Sequence, residues 1–560
     1  MDWAAESMAQ VAATREARVG RPGPKIEGEE AERLLEEYHP DHSGKERSVG
    51  VGKNAGADRF PLELAALLEA DSPVPENFEA RVDLETDVLI IGGGGAGVSA
   101  ALALQGSGLA VHLVTKLRLG DSNTVMAEGG IQAALGEGDS PRRHFADAFV
   151  GGHGDNDCGL LRILCESGPE AVGWLIGQGC LFDRNPDGTF RLRPGGGTSV
   201  PRVLACRDFT GLEIMRVLKE ALRQSATAVL EEHAAVEFTD DGAGQVTGAV
   251  LWDRKSNALV TVSARALLLA TGGSGQLRLQ GFPTSNHIGA TGDGLVLAYR
   301  QGCGILFPNS HQYHPSGGVF PEALAGSLVT EAIRSTGAQV VNREGHAFVN
   351  ELAYRDVLAA AILREVSEGR GVRTPTGRKG VWLDTPLIEK TQGAGTLKSQ
   401  FPGLVHRYAR YGIDPAVCPL LIYPTLHYQN GGIAVDGWGK TEAPGLWAAG
   451  EVTGGLHGSN RLMGNSLLDI TVFGRRAAAS ILKEISERKA VTLKGLTRYR
   501  AVLKTLPGFQ AAEAGGKSAP GLFPEASRLK FHRAPGKLPP MAAGPEPQTP
   551  FEPPDPFARG

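Results

Sequence analysis

Three glycines, Gly92, Gly94 and Gly97, follow one another at the spacing G-x-G-x-x-G. A strand-like run, Asp87 to Ile91, precedes them, and an apolar helical run continues from Val98 to Gln105. Glycine lets a backbone approach a pyrophosphate closely, and a helix N-terminus supplies free N–H groups and the positive end of a dipole. The motif therefore predicts a dinucleotide site, against the alternative of a glycine-rich loop in any α/β protein.

The next strand-like run, Val111 to Thr115, ends in Thr115-Lys116, whereas a dinucleotide site usually has Asp or Glu about 20 residues after its glycines. This departure disfavours NAD. Two later strand-like segments, ALLLATGGSG and GLWAAGE, favour a flavin, because Glu451 in the second can accept hydrogen bonds from ribitol or ribose hydroxyls. Asn465-Ser466 predicts the N-cap of a long helix whose N-terminus would stabilise negative charge on a reduced flavin.

Composition excludes several classes of protein. The 560 residues carry a net charge of −5, which gives no reason to expect a nucleic-acid partner. The six cysteines include no C-x-x-C pair, so we expect reduced thiols and neither a zinc site nor a built-in iron–sulfur cluster, and no metal site at all. We see neither a secretory signal nor a membrane-spanning run. The expected location is the cytoplasm, or the inner face of the membrane through partner subunits.

A series of motifs in order resembles one family. They are IIGGGGAG, DSNTVMAEGGIQAAL, ATGGSG, TGDG, QYHPSG, LVTEAIR, YRDV, PTLHYQNGGI and GEVTGGLHGSNRLMGNSLLD. Over about residues 85 to 488 the sequence resembles the flavoprotein subunits of succinate dehydrogenase and fumarate reductase, a family that also includes L-aspartate oxidase. The resemblance implies an FAD-dependent oxidoreductase in which a mobile capping domain holds the substrate against the flavin.

The patterns along the chain and the resemblance together predict the domain organisation. The expected class is α/β: a Rossmann-like FAD domain of the two-dinucleotide-binding type, with an inserted α+β capping domain and a truncated C-terminal region. The expected boundaries are 1–80 for an N-terminal extension, 81–306 and 423–488 for the two parts of the FAD domain, 307–422 for the cap, and 489–560 for a short helix and a Pro-rich tail.

Seven residues match the family's substrate site. Arg461 resembles the arginine that clamps one carboxylate of a small dicarboxylate, His314 and His427 resemble carboxylate-binding histidines, and Thr330 resembles the hydroxyl beside them. Arg355 resembles the arginine that gives a proton to the substrate carbon, with Glu331 and Arg334 as the relay that refills it. Free arginine is normally never deprotonated, so this role requires neighbouring cations and a closed site. We assign no role to His311, which we interpret as a polar loop residue or a satisfied histidine.

The predicted FAD-binding residues come from the same motifs. They are Gly92, Gly94, Gly95, Ala96, Gly97, Thr115, Lys116, Ser122, Asn123, Thr124, Gly129, Gly130, Thr271, Gly272, Asp293, Glu451, Asn465, Ser466, Leu467 and Leu468. In membrane-bound members a histidine in an S-H-T segment carries a covalent flavin bond. Here the segment reads Ser122-Asn123-Thr124, which predicts noncovalent FAD.

Three functions remain open at this point. The first is interconversion of fumarate and succinate, or a close dicarboxylate, with a separate iron–sulfur protein as partner. The second is L-aspartate oxidase, which ranks lower because Gly195 stands where that enzyme has a glutamate facing the substrate amine. The third is an electron-transfer flavoprotein subunit without dicarboxylate turnover. The joint presence of six site residues argues against it: His314, Thr330, Glu331, Arg355, His427 and Arg461.

Overall fold

The computed structural model describes residues 2–507, residue 509 and residues 532–533. Its α-helices are α1 Ala5–Arg18, α2 Glu29–Tyr38, α3 Leu62–Leu68, α4 Gly95–Ala103, α5 Pro141–Gly151, α6 Cys158–Gly177, α7 Thr210–Arg223, α8 Asp293–Arg300, α9 Glu331–Ser335, α10 Arg355–Ser367, α11 Pro386–Gln392, α12 Thr396–Gln400, α13 Pro402–Ala409, α14 Asn465–Glu484 and α15 Lys494–Leu503. Its strands are β1 Glu46–Arg47, β2 Phe60–Pro61, β3 Leu84–Glu85, β4 Val88–Ile91, β5 Val111–Thr115, β6 Ile131–Gln132, β7 Val203–Leu204, β8 Ala228–Glu231, β9 His233–Asp240, β10 Val246–Asp253, β11 Ala258–Ser263, β12 Ala266–Leu269, β13 Ile305–Leu306, β14 His311–Gly318, β15 Gln339–Val341, β16 Val372–Arg373, β17 Lys379–Asp384, β18 Leu420–Gln429, β19 Gly432–Ile433, β20 Leu446–Ala448 and β21 His532–Arg533.

A parallel five-stranded sheet in the order β20-β12-β4-β5-β8 forms the centre of the FAD domain. Strands β4 and β12 have the sequences VLII and ALLL and are buried along their whole length. Continuous apolar strands of this kind suit a parallel sheet covered on both faces. Helices α4 and α14 pack against each other beside this sheet. The Rossmann-like α/β class is therefore confirmed.

A second sheet of the FAD domain is mainly antiparallel. Strands β9, β10 and β11 pair in sequence, and β3 and β21 each add to β11 in parallel. Its apolar side chains join those of α3, α8 and α15 in one core that includes Phe60, Phe238 and Tyr299. Strand β9 of this sheet contacts β5, and β10 contacts β12, so the two sheets pack beside each other.

The inserted region folds around an antiparallel sheet in the order β14-β18-β17-β15, with α9 to α13 about it. Its core is separate from the others and contains Phe401, Tyr408 and Ile362. Strand β18, Leu420–Gln429, runs through the boundary expected at residues 422 and 423. The strand pairs with β14 of the same sheet as far as Gln429, so the sheet of the inserted region extends past the expected boundary.

The first 80 residues are built onto the body of the protein. The sequence pattern of Glu29 to Tyr38 predicts a helix, and α2 has these bounds. Ala5 to Arg18 has little apolar periodicity, so the sequence does not predict α1. Helix α2 packs on α10 of the cap, while α3 packs on α8 of the FAD domain. At the other end α15 begins at Lys494, and the expected Pro-rich tail lies outside the described residues except for β21.

All six cysteines are free thiols. Within the described residues, the helices are too short or too polar to cross a membrane.

Candidate active site

The predicted glycine turn joins β4 to α4 and brings two stretches of backbone into contact. Gly92 has φ 124°, and a Cβ placed on it would lie 2.0 Å from the carbonyl oxygen of Ala270. A Cβ on Gly97 would lie 2.0 Å from the carbonyl oxygen of Gly92. Only glycine allows this approach of α4 to β4 and β12, and it directs the N-terminus of α4 into a cavity.

This cavity extends from the nucleotide-type turn to the cap. Seventeen of the twenty predicted FAD residues line it, and so do six of the seven predicted substrate-site residues. The exceptions are Gly97, Asn465, Leu468 and, in the substrate site, Arg334. Gly97 acts through packing, and Leu468 is a fully buried core residue.

One end of the cavity lies at the carboxyl edge of β5. Lys116 Nζ donates to Thr291 Oγ1 at 2.6 Å and forms an ion pair with Asp293 at 2.5 Å. The basic residue that replaces the usual acidic one after β5 is thus neutralised by Asp293 at the start of α8. A carboxylate thus lies beside the end of β5, although it belongs to α8.

Asn123 is held by several hydrogen bonds in the wall of the cavity. Its Nδ2 donates to Asn286 Oδ1 at 2.7 Å and to Glu451 Oε2 at 3.0 Å, while its Oδ1 accepts from the His287 backbone at 2.7 Å. Burial raises the pKa of Glu451, although the bonds from Asn123 and the backbone oppose this. Asn123 therefore has a fixed amide where a covalent linkage would need a nucleophilic ring.

The prediction that Asn465 caps α14 is wrong. The N-cap is Gly464, at φ 88°, and Asn465 is the first helical residue. Its side-chain oxygen instead meets His144 Nε2 at 2.9 Å in the buried interior. Ser466 and Leu467 line the cavity, so the N-terminus of α14 still opens toward it.

The reactive end of the cavity contains a buried cluster of charges. Arg355 Nε donates to Glu331 Oε2 at 2.9 Å, and Arg334 Nη2 lies 3.3 Å from the same oxygen. Burial alone would raise the pKa of Glu331, but the two guanidiniums overcome it and lower that pKa to about 2. Burial lowers the pKa of Arg334, with Arg355 adding to the effect and Glu331 opposing it. The predicted relay residues are thus in direct contact.

Gln312 joins this cluster to Arg461. Its Oε1 accepts from Arg355 Nη1 at 2.7 Å and from Arg461 Nη2 at 3.0 Å. Its Nε2 donates to the carbonyl oxygen of Arg461 at 2.6 Å. The Arg461 guanidinium also lies 4.2 Å from the centre of the Tyr428 ring, and burial together with Arg355 lowers the pKa of Arg461 to about 10. The neutral amide of Gln312 thus lies between two buried cations, Arg355 and Arg461.

His314 and His427 are close neighbours, with ring centres 5.1 Å apart. Burial, and then the charge of Arg355, place both pKa values well below the usual value, so both rings are neutral. The backbone N–H of Ser316 donates to His314 Nδ1 at 3.3 Å, which makes Nε2 the protonated nitrogen of that ring. Ser285 contacts Nδ1 of His427 at 2.8 Å. Thr330 lines the cavity beside them and caps α9.

The loop around Gly195 lies against the charge cluster. The backbone N–H of Gly196 donates to Glu331 Oε1 at 2.8 Å, and a Cβ on Gly196 would lie 3.1 Å from that oxygen. Gly195 carries no side chain into this region. The loop therefore contributes a hydrogen-bond donor to the relay.

Sequence reasoning missed three cavity-facing or bridging groups. Gln312 stands two residues before His314 on β14, and the two-residue period of a strand was the signal that could have found it. Glu128 and Arg407 form an ion pair between the FAD domain and α13 of the cap, and both line the cavity. Arg407 is distant in sequence from the other motifs and gave no signal. His311 is buried at the start of β14, so the interpretation as a polar loop residue is wrong.

The cavity residues fit FAD. The glycine turn and the start of α4 line the cavity, and a Cβ on Gly92 or Gly97 would clash with the backbone that shapes this wall. The same cavity continues without interruption from Lys116 to Arg355, so a dinucleotide at one end and a ring system at the other fit in one chamber. The residues that would hold the ring are on the N-terminal turn of α14 and around Asn123 and Glu451.

Comparison with known proteins agrees with this site. Residues 87–467 match the family model described as FAD binding domain. The chain is 38% identical over 411 residues to a fumarate reductase (CoM/CoB) subunit of Methanothermobacter marburgensis, covering 71% of this chain and 73% of that protein. It is 37% identical over 411 residues to the L-aspartate oxidase of Streptomyces coelicolor, covering 71% of this chain and 68% of that protein.

Solved structures give the same result. The E. coli quinol fumarate reductase FrdA superposes with a TM-score of 0.68 at 30% identity, covering 76% of this chain and 74% of that chain. The Mycobacterium smegmatis Sdh1 complex superposes with a TM-score of 0.62 at 36% identity, covering 75% and 73%. The chain therefore belongs to the FAD binding domain family and is an FAD-dependent oxidoreductase of the succinate dehydrogenase and fumarate reductase type.

Proposed function

We propose that this protein interconverts fumarate and succinate, or a close dicarboxylate, using noncovalent FAD. The observation that carries the proposal is the charge of the reactive end. Three buried guanidiniums, those of Arg334, Arg355 and Arg461, have one carboxylate among them, that of Glu331, so these four groups carry a net charge of +2. Glu128 in the same cavity is balanced by its ion pair with Arg407. Burying a charge is costly unless it is paired, so the cluster is complementary to a ligand with two carboxylates.

Each end of such a ligand has its own partners. Arg461 offers a planar fork for one carboxylate, and Tyr428 beneath it limits how the fork can turn. The protonated Nε2 of His314 and the Thr330 hydroxyl suit the other carboxylate, with His427 beside them. Because both histidines are neutral, they hold the ligand by hydrogen bonds and leave the charge balance to the arginines.

The chemistry that bound FAD supplies is hydride transfer at N5. In the direction of fumarate reduction the second alkene carbon requires a proton, and Arg355 is the group we assign to give it. Glu331 accepts hydrogen bonds from Arg355 Nε and lies beside Arg334, so a proton can return to Arg355 along Arg334 and Glu331. Arg461 and the histidines polarise the double bond through its carboxylates.

Anaerobic mixing of the reduced protein with fumarate tests the proposal. We expect fumarate to reoxidise the flavin rapidly, as measured by the rise in absorbance at about 450 nm. A monocarboxylate control such as acrylate should reoxidise it slowly or not at all. A flavin spectrum that neither fumarate nor succinate changes would defeat the proposal.

The noncovalent state and the partner are separate parts of the proposal. Asn123 supports noncovalent binding, and acid precipitation should release yellow flavin into the supernatant. Flavin that stays with the polypeptide would contradict it. An iron–sulfur protein is the partner we propose for electron transfer, with the complex at the inner face of the membrane, and co-purification with a protein that carries a cluster absorbance tests it.

L-Aspartate oxidation is the second candidate. Glu128 favours it, because this carboxylate lines the same cavity and one of its oxygens has no hydrogen-bond partner among the described residues, so it can meet a substrate ammonium. The lack of a carboxylate at Gly195 weighs against it. Oxygen uptake on addition of L-aspartate to the flavin-loaded protein is the measurement, and none is expected if the dicarboxylate proposal is right.

A further inference from the structure

The chain before residue 59 lies outside the region matched by the family model, residues 87–467, yet it contacts the loop before α10, which accepts a hydrogen bond from Arg334. This segment, residues 2–58, is called the strap below. Its first helix, α1, is fixed to the cap by Arg15 and Arg18, which donate to the two oxygens of Asp384, each at 2.7 Å. Asp384 is fully buried at the end of β17, so this is an internal anchor rather than a surface ion pair.

After α1 the strap crosses the loop between β15 and α10. The carbonyl oxygen of Pro24 accepts from the backbone N–H of Asn350 at 2.7 Å, and the backbone N–H of Gly23 donates to Glu351 Oε2 at 3.2 Å. A Cβ on Gly23 would lie 2.0 Å from the carbonyl oxygen of Val349. Backbone therefore packs directly on backbone at this crossing.

The loop that the strap touches is also the support of Arg334. Arg334 Nη1 donates to the carbonyl oxygen of Glu351, one residue after Asn350. The Arg334 side chain is fully buried, and its other contact is with Glu331, the centre of the proposed relay. A continuous series of contacts thus runs from Gly23 through Asn350 and Glu351 to Arg334.

The far end of the strap is attached to the FAD domain. Tyr299 of α8 donates its hydroxyl to the carbonyl oxygen of Val51 at 2.8 Å, and Asn54 Nδ2 donates to the carbonyl oxygen of Ile305 at 3.0 Å. The strap therefore has an anchor on each domain, with the Gly23 crossing on the cap side.

We propose that the strap positions Arg334 for proton return, with Gly23 as the positioning residue, an inference that rests on the proposed dicarboxylate function. Residues 342–353 form a loop without a helix. Asn350 organises the backbone on both sides of the Glu351 carbonyl, because its Oδ1 accepts from the Leu352 N–H at 2.9 Å and its carbonyl oxygen accepts from the Ala353 N–H at 3.1 Å. The position of Asn350 is in turn fixed by its bond to Pro24 of the strap. Displacing the strap by the 1 Å or so that a methyl group requires would turn the Glu351 carbonyl away from Arg334.

Gly23→Ala is the test, because Gly23 has an ordinary backbone φ and the added methyl acts only through its contact with Val349. In the flavin-loaded full-length protein we expect the Asn350 amide to exchange with deuterium at least about 10-fold faster. We expect kcat for fumarate reduction to fall about 10-fold, while the Kd of the dicarboxylate stays within about 2-fold, because its ligands lie on other elements. The solvent deuterium isotope effect on kcat should rise as proton return becomes limiting.

Two matched variants serve as controls. Lys25→Ala changes a strap residue whose side chain is 72% exposed, and Gly173→Ala adds a methyl group in α6 with nothing within 4 Å of it. Both should leave amide exchange and kcat unchanged. If Gly23→Ala does not fold, Glu351→Ala removes the acceptor of the Gly23 N–H and keeps the carbonyl that Arg334 uses, and about a 3-fold loss in kcat is expected.

The outcomes separate this inference from the proposed function. Faster Asn350 exchange with unchanged kcat and isotope effect would make the strap merely structural and overturn the inference, and so would unchanged exchange. If the unaltered protein does not respond to fumarate or succinate, the dicarboxylate proposal fails. Asn350 exchange in Gly23→Ala would then decide alone whether the strap controls the Arg334 loop.

Discussion

The two ends of the cavity differ in whether backbone or side chains form them. The nucleotide end is backbone: glycines at φ values and distances that exclude a Cβ, with helix N-termini directed inward. The reactive end is formed by side chains: arginines, histidines and a glutamate brought together from positions 314 to 461, most of them buried. The first end depends on local sequence and the second on tertiary structure, so the two should fail independently when they are altered.

Arg355→Ala should have the largest effect and should break the reactive end alone. We expect turnover to fall about 10³-fold or more, since both the assigned proton donor and one cation of the cluster are lost. Flavin content should not change, because Arg355 touches Glu331 and Gln312 rather than the glycine turn. Turnover with artificial electron donors and the ratio of absorbance at 450 to 280 nm measure the two quantities.

Arg410→Ala is the matched control for that variant, because Arg410 is exposed just after α13 and lies outside the cavity. It should behave as the unaltered protein does. Turnover retained in Arg355→Ala would remove Arg355 from the mechanism.

Gly97→Ala should break the nucleotide end alone. Its methyl group would meet the carbonyl oxygen of Gly92, a backbone atom that cannot turn aside, so α4 must move away from the turn. We expect the fraction of protein that retains FAD after gel filtration to fall about 10-fold, while added FAD at high concentration restores part of the turnover.

Gly173→Ala, on a helix face with free space, should keep its flavin. Full flavin retention in Gly97→Ala would show that the close approach of α4 to the turn is unnecessary for FAD binding.

The pH dependence of stability should distinguish two carboxylates at the reactive end, Glu331 and Glu128, and this effect should be smaller. Glu331 has two guanidinium partners and a pKa of about 2, whereas burial raises the pKa of Glu128 to about 7 against the single opposing charge of Arg407. Glu128 has a higher pKa in the folded state than in the unfolded state, where it is near 4.5. Its contribution to the free energy of unfolding is therefore fully present below pH 4.5 and is lost as pH rises through about 7.

Glu128→Gln removes that titration. The stability of the unaltered protein relative to the variant should therefore fall by up to about 3 kcal/mol between pH 4.5 and pH 8, as urea midpoints at a fixed flavin load would show. A difference between the two proteins that does not depend on pH would contradict the raised pKa of Glu128.

The same contrast explains how much the sequence could predict. The strand and helix around Gly92 to Gly97, the strand Val111–Thr115 and helix α2 follow from local patterns, and they were predicted close to their observed bounds. The class of fold and FAD followed from these patterns and the family resemblance. Helix α1 and the side-chain direction of Asn465 depend on tertiary packing, against the cap and against His144, and local patterns do not encode that.

The residues of the reactive end could be predicted only from the family's motifs. His314, Thr330, Glu331, Arg355, His427 and Arg461 were identified by resemblance, and their roles stay predictions. Arg407 gave no signal, because a contact across a domain boundary has meaning only once the chain is folded. The two-residue period of β14 points to Gln312, but its position between two cations is visible only in the folded chain.

Strand β18 has a consequence for protein engineering. It starts at Leu420 in the cap and continues to Gln429, with His427 near its end and Ser285 of the FAD domain bonded to that histidine. A chimera that exchanged caps at residue 422 or 423 would interrupt the pairing of β18 with β14 and β17. The strand pairing next to the predicted substrate site would then combine residues of two different proteins. Junctions for such recombination belong after Gln429, so that the histidine is inherited together with the sheet that sets its position.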